Sequence, residues 1–235
     1  MTLPKKPEYF AGIKVDGAME RFLKEEEEKE GKVRQGISKT QHPTSDLEKA
    51  LVFSSESEIF VLDRDFSATK IASRDNSVQA LCSHDGKLYD GGNYNKIFET
   101  LTGREIASRN SWVYALCSHD GKLYDGTYRK IFETLTDRKI ASRDDWVLAL
   151  CSHDGKLYDG GKYRKIFGTL TGREIASRDD WVRALCSHDG KLYDGGNYNK
   201  IFETLTDREI ASRDSGVRAL CSHPRKYFVD MGVLK

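Results

Sequence analysis

The chain has 235 residues, is 38% hydrophobic and 32% charged, and carries a formal net charge of +1. That balance suits a water-exposed globular protein and makes nucleic acid an unlikely partner, because a dedicated nucleic-acid binder shows a clear basic excess. No stretch approaches the roughly 18 apolar residues of a membrane span, and the N-terminus lacks the apolar core of a signal peptide, so a cytoplasmic location without membrane contact is expected.

Residues 1–48 differ in character from the rest. Asp16 is an N-cap candidate and Gly31 a stop, which predicts a helix near 17–30 carrying one short apolar stripe of Met19, Phe22 and Leu23. The run Lys24-Glu25-Glu26-Glu27-Glu28-Lys29-Glu30 is a solvated face. A linker through His42-Pro43 follows, and the stripe either hangs free or docks on the later repeats or on a partner. Ser45-Asp46-Leu47-Glu48 has a capping-box pattern. Residues 49–76 then read as a degenerate repeat lacking its first strand, because Ile59-Phe60 and Ile71-Ala72-Ser73-Arg74 match Ile97-Phe98 and Ile106-Ala107-Ser108-Arg109.

From there one motif sets the period. LCSHDGKLYDG occupies 81–91, 116–126, 150–160 and 185–195, then begins again at Leu220 and breaks at Pro224. Cys82, Cys117, Cys151, Cys186 and Cys221 mark spacings of 35, 34, 35 and 35. An odd number of cysteines at one repeat position does not resemble a disulfide framework, and buried free thiols are the plainer reading. Each repeat divides into four strand-like segments. Val78–Cys82 and Leu88-Tyr89 flank His84-Asp85-Gly86-Lys87, where Asp-Gly is a strong hairpin signal. Gly91-Gly92-Asn93-Tyr94-Asn95 reads as the next turn, before Lys96–Leu101. Thr102-Gly103-Arg104-Glu105 turns into Ile106-Ala107-Ser108.

Four short strands in each repeat predict an all-β fold, a five-bladed β-propeller of four-stranded blades with a short helical N-terminal extension. A helical repeat would need uninterrupted runs that the Gly turns forbid. The propeller spans 49–235, with repeats near 49–76, 77–111, 112–146, 147–180, 181–215 and 216–235. The two ends combine into the fifth blade and so cover the exposed sheet edges. Either 50–54 or 226–232 supplies its second strand.

The pattern KLYDGG…KIFETLTGREIAS resembles the short blades of WD40-like and quinoprotein-like β-propellers, and is similar to short-blade propeller-repeat proteins of archaea. The resemblance covers roughly residues 49–235 and implies the fold but no particular activity. Two WD40 hallmarks are missing: no Trp-Asp ends a strand, and no Gly-His opens a blade.

In a propeller meander alternate turns lie on opposite faces. One face gathers Tyr94, Tyr128, Tyr163 and Tyr198 with Trp112, Trp146 and Trp181, and with Arg109, Arg143, Arg178 and Arg213. Aromatics beside arginine are the composition of a binding surface. The competing reading is that Trp and Tyr cover blade junctions while Arg and Asp pair between blades. Cys82 and His84 could reach one metal ion, but no further ligands are specified, so no metal and no cofactor are expected. Asp90, Asp125, Asp159 and Asp194 precede glycines and are expected to bond local backbone N–H groups. Catalysis needs unlike groups in unlike roles, whereas each candidate here recurs in several copies. The departures are few: Gly168 in place of Glu, the shorter Gly126-Thr127-Tyr128 turn, and Ser77 and Gly216 in place of Trp. The expected function is a non-catalytic scaffold that binds another protein through the Tyr/Trp/Arg face. The alternative is a lectin-like or small-ligand propeller with one equivalent glycan or ligand site per blade.

Overall fold

The computed structural model describes residues 51–62 and 68–220; the helix expected near 17–30, its linker and the segment 226–232 lie outside the described residues. Apart from one 3-10 turn at Thr134–Thr136, the described chain is strand, turn and irregular connection. The strands β1 (Leu51–Ser55), β2 (Glu58–Leu62) and β3 (Ala68–Ser73) form one antiparallel sheet. A second contains β4 (Val78–His84), β5 (Lys87–Gly92), β6 (Lys96–Glu99) and β7 (Arg104–Ser108). A third runs through β8 (Ala115–His119), β9 (Lys122–Gly126), β10 (Tyr128–Glu133), β11 (Arg138–His153), β12 (Lys156–Gly161), β13 (Lys165–Gly168) and β14 (Arg173–Ser177). The fourth holds β15 (Val182–His188), β16 (Lys191–Gly196), β17 (Lys200–Glu203) and β18 (Arg208–Ser212). No helix among the described residues is long and apolar enough to cross a membrane.

There are thus four hydrogen-bonded sheets rather than five separate ones. The reason is local. The β9–β10 turn is a residue shorter than its equivalents, so Tyr128 pairs with Trp146 and carries the ladder past the end of its repeat. The 16-residue β11 therefore closes one meander with its first half and opens the next with its second. In the first sheet β1 pairs with β2 through Phe53↔Phe60 and Ser54↔Ile59. The corresponding pairs in the second sheet are Asp90↔Phe98 and Gly91↔Ile97. Residues 51–55 therefore stand where a second strand belongs, and Phe53 stands where the other repeats have aspartate.

The hairpin reading of Asp-Gly agrees with the backbone: Asp85 and Gly86 both have positive φ, 46° and 70°. The Gly-Gly pair is different. Gly91 and Gly92 belong to β5 and are not turn residues. Their small size serves packing between repeats. A Cβ on Gly160 would stand 2.6 Å from Cγ1 of Val182 in the following repeat, and one on Gly195 would stand 2.6 Å from Cγ1 of Val217. Around these contacts the core is aliphatic, with Ile97, Ile131 and Ile166 and with Val113, Val147 and Val182 sealed from solvent.

A buried charge clamp ties each repeat to the next. Asp90, Asp125, Asp159 and Asp194 are completely buried and do not bond local backbone N–H groups as expected. Each accepts a two-pronged hydrogen bond from the arginine that ends the preceding repeat: Arg74, Arg109, Arg143 and Arg178 respectively. For Arg178 and Asp194 both distances are 2.7 Å. Thr100, Thr134, Thr169 and Thr204 donate their hydroxyls to the same carboxylates. The guanidinium planes lie over Phe98, Phe132, Phe167 and Phe202 at 4.3–4.7 Å. A carboxylate this deep is tolerable only because its lone pairs are used and its charge is matched at bidentate geometry.

A second tie lies on the innermost strands. The Nδ1 atoms of His84, His119 and His153 sit 2.8–2.9 Å from the hydroxyls of Ser118, Ser152 and Ser187 in the following repeats. Between these ties Cys117 and Cys151 are buried and Cys82 is half-buried. Desolvation pushes Cys82 and Cys151 up to about 11 and Cys117 to about 12.

Removing one clamp carboxylate strands a buried cation. Asp159→Ala leaves Arg143 with no carboxylate, and urea unfolding is expected to show a loss of about 3–5 kcal/mol. Asp207→Ala removes only an exposed second partner of Arg178, and its loss is expected below about 1 kcal/mol. Equal costs would contradict the clamp. The thiols give a separate check. With values pushed up to about 11 and about 12, roughly one part in a thousand or less is thiolate at pH 8, so a disulfide reagent should label Cys151 and Cys117 only after denaturant is added.

Candidate interaction surface

The structure divides the expected Tyr/Trp/Arg set into two groups. Tyr94, Tyr163 and Tyr198 donate their hydroxyls to the clamp carboxylates Asp90, Asp159 and Asp194 at 2.5–2.6 Å. Burial, followed by the contact with the carboxylate, raises these phenols far above their ordinary pKa, so they stay protonated donors. Arg109, Arg143 and Arg178 form the arginine side of the clamps. These six side chains hold repeats together. Arg213 is exposed, and among the described residues its one side-chain hydrogen bond goes to the Ser212 carbonyl. Tyr128 also differs. The shortened turn carries it away from Asp125, leaves it 42% exposed and places it against Arg129.

The tryptophans follow another pattern. Trp112 stands 43% exposed, with its ring 6.1 Å from Tyr114. Tyr114 stacks on Trp146 at 5.2 Å with the planes 16° apart. Lys162 then bridges two repeats, its ammonium 4.7 Å from the Trp146 ring and 4.5 Å from the Trp181 ring. Arg183 lies 4.9 Å over Trp181. Trp112, Tyr114, Trp146, Lys162, Trp181 and Arg183 thus make one continuous arc of rings and cations across three repeats. Its order comes from the repeat: Trp112, Trp146 and Trp181 precede three of the innermost segments, and the residue two further on begins each lining triplet.

The arc borders a cavity of about 210 Å³. Its lining is five equivalent triplets, one from each innermost segment: Gln79–Leu81, Tyr114–Leu116, Leu148–Leu150, Arg183–Leu185 and Arg218–Leu220. Ala and Leu recur at the second and third places of these triplets, with Ala80, Ala115, Ala149, Ala184 and Ala219 in the second. The first place holds four different residue types over the five segments: Gln79, Tyr114, Leu148, and arginine at both Arg183 and Arg218. That place varies in side-chain chemistry while the Ala and Leu beside it do not.

Sequence reasoning found the tryptophans and missed Tyr114, Lys162, Arg183 and Arg218. A usable signal was present: a position that varies among near-identical repeats is freed from the blade's packing demands. It also missed Leu101, Leu135, Leu170 and Leu205, which lie 52–69% exposed in the turns between third and fourth strands, on the opposite face from the arc. Those residues read as the ends of apolar strands. Gly168 has a visible consequence as well. Glu99, Glu133 and Glu203 each bridge a lysine and an arginine, and glycine removes that bridge from one repeat.

No protein-family model matches the sequence, and no curated protein matches it. Solved structures do. A crystal structure of the mitotic checkpoint complex contains a chain that matches with a TM-score of 0.55 at 15% identity, over 78% of this chain and 75% of that one. The WD40 β-propeller domain of Doa1 matches with a TM-score of 0.56 at 15% identity, covering 74% and 69% of the two chains. The computationally designed Ika8 protein matches with a TM-score of 0.51 at 21% identity, over 79% of this chain and 63% of its own length, so this chain spans less than two thirds of it. The antiparallel meanders, their clamps and these likenesses together make the described chain a WD40-like β-propeller fold.

Proposed function

We propose that the repeats close into a five-bladed ring that acts as a non-catalytic scaffold and takes another protein on the Trp112–Trp146–Trp181 arc. The observation that carries this reading is the single arc of rings and cations beside a cavity lined by five equivalent segments. Ring closure is supported from both ends. The first sheet offers second, third and fourth strands without an innermost one. Residues 217–220 offer an innermost segment, and Val217 packs on Gly195 as Val182 packs on Gly160. In such a ring Arg213 faces a repeat whose aspartate position is Phe53, so the closing junction lacks the charge clamp of the other four.

Three features favour protein recognition. Large aromatic side chains and arginine are the residues that dominate binding energy at protein interfaces. The arc changes composition at each repeat, which suits one extended partner rather than a set of identical small sites. The invariant polar residues, which a catalytic reading would need, are committed to clamps. What the solved structures in question bind does not bear on this choice, since their likeness to this chain extends to the fold.

Trp146→Ala combined with Trp181→Ala is expected to abolish recovery of a specific partner in a pull-down while leaving a β-type circular-dichroism spectrum. Unchanged recovery would remove the arc from the account. Calorimetry of the recovered partner should give one site per chain. Several equivalent sites for a glycan or small ligand would favour the lectin-like reading instead.

A further inference from the structure

We infer that Arg183 and Arg218 form a receptor for a carboxylate side chain in an acidic peptide segment of the partner, at the mouth of the shared cavity and next to Trp181. This rests on the arc being the interaction surface and adds the chemistry that the surface selects. Both arginines occupy the variable first place of neighbouring triplets lining the same cavity. None of the residues lining that cavity is acidic.

The contrast with the structural arginines is what makes the pair informative. Arg109, Arg143 and Arg178 each direct two nitrogens at a buried carboxylate. Arg183 donates through Nε to the Asn197 amide oxygen at 2.5 Å and rests on Trp181, which fixes its plane. Its two terminal nitrogens have no acceptor among the described residues, and Arg218 has none there either. Asp180, whose charge acts on Arg183, already accepts the Trp181 backbone N–H at 2.7 Å. Burial, and then the neighbouring Arg218 charge, pull the Arg183 guanidinium below its ordinary value, with Asp180 opposing. Two like charges held together, one of them pre-oriented by an amide and a ring, are relieved by one anion placed between them. A planar carboxylate can take paired N–H donors from both.

The surroundings select a single carboxylate over a polyanion. Asp144 and Asp145 in β11, with Asp179, Asp180 and Asp214 on the connections, lie just before the arc positions in these repeats. They repel an extended phosphate backbone but tolerate one acidic side chain aimed at the mouth, with its apolar neighbours resting on the tryptophans.

The test uses the full chain as bait for a displayed library of random short peptides, followed by affinity measurements on individual synthetic peptides. The Arg183→Ala/Arg218→Ala and Trp146→Ala/Trp181→Ala double variants are measured beside wild type, with circular dichroism and urea unfolding confirming their fold. Enriched peptides are expected to share an aspartate or glutamate. Replacing it by its amide, or removing the two arginines, should weaken binding about tenfold or more. Peptides that lack an acid and ignore the arginine variant, yet fail on the tryptophan variant, would overturn this inference and leave the arc intact. Peptides indifferent to both variants would overturn the inference and the arc together. Tight, arginine-dependent binding of a single-stranded DNA oligonucleotide, with no acidic peptide enriched, would reassign the pair to nucleic acid and overturn the inference.

Discussion

The fold depends on a carboxylate buried beside a guanidinium from the preceding repeat. A propeller blade is a small twisted sheet that cannot bury both faces alone, so its stability comes from its neighbours. Aliphatic contacts such as Val182 on Gly160 supply area but little direction. The Arg–Asp clamp supplies direction: an arginine at the end of one repeat is correctly placed only if the following β-meander stands at the right angle. Phe, Thr and Tyr complete the arrangement, and each does so through the same carboxylate or the same cation. Stability and geometry are therefore set together, repeat by repeat.

That division of labour explains why one residue type means two things. Arg178 and Arg183 are five positions apart in the sequence. The first lies in a clamp, with its side chain 3% exposed and matched by two aspartates. The second sits on Trp181 with its terminal nitrogens unsatisfied within the described chain. Tyr163 and Tyr114 divide in the same way, one donating to a buried carboxylate and one stacking on Trp146. The clamp positions repeat because every junction needs the same geometry. The mouth positions vary because no junction needs them.

Much of this was legible in the sequence. The period, the Asp-Gly hairpins and the four-strand meander follow from local backbone chemistry that residue order states directly. The cysteines read correctly as buried free thiols at Cys117 and Cys151, while Cys82 is only partly buried. Pairing of Arg with Asp between repeats was visible as a possibility. Its actual partners were not, because Arg178 and Asp194 lie in different repeats and only the packing of sheets brings them together. Gly91 was misread as a turn because glycine has two uses, positive φ and close approach, and the sequence does not separate them. Tyr94 and Tyr128 look equivalent, yet one missing residue in the turn sends the second outward. The arc itself was half visible. Its tryptophans are conspicuous, while Lys162 and Arg183 gain meaning only from the rings they cover.

The central claim of the proposal is that invariant residues build the junctions between repeats and the variable mouth, with its tryptophans, takes the partner. Amide hydrogen exchange on the full chain, with and without a bound partner peptide, tests it most directly. The account predicts that added protection falls at 112–114, 146–148, 181–183 and 216–218. Protection concentrated instead at the turns bearing Leu101, Leu135, Leu170 and Leu205 would place the working surface on the opposite face and contradict it.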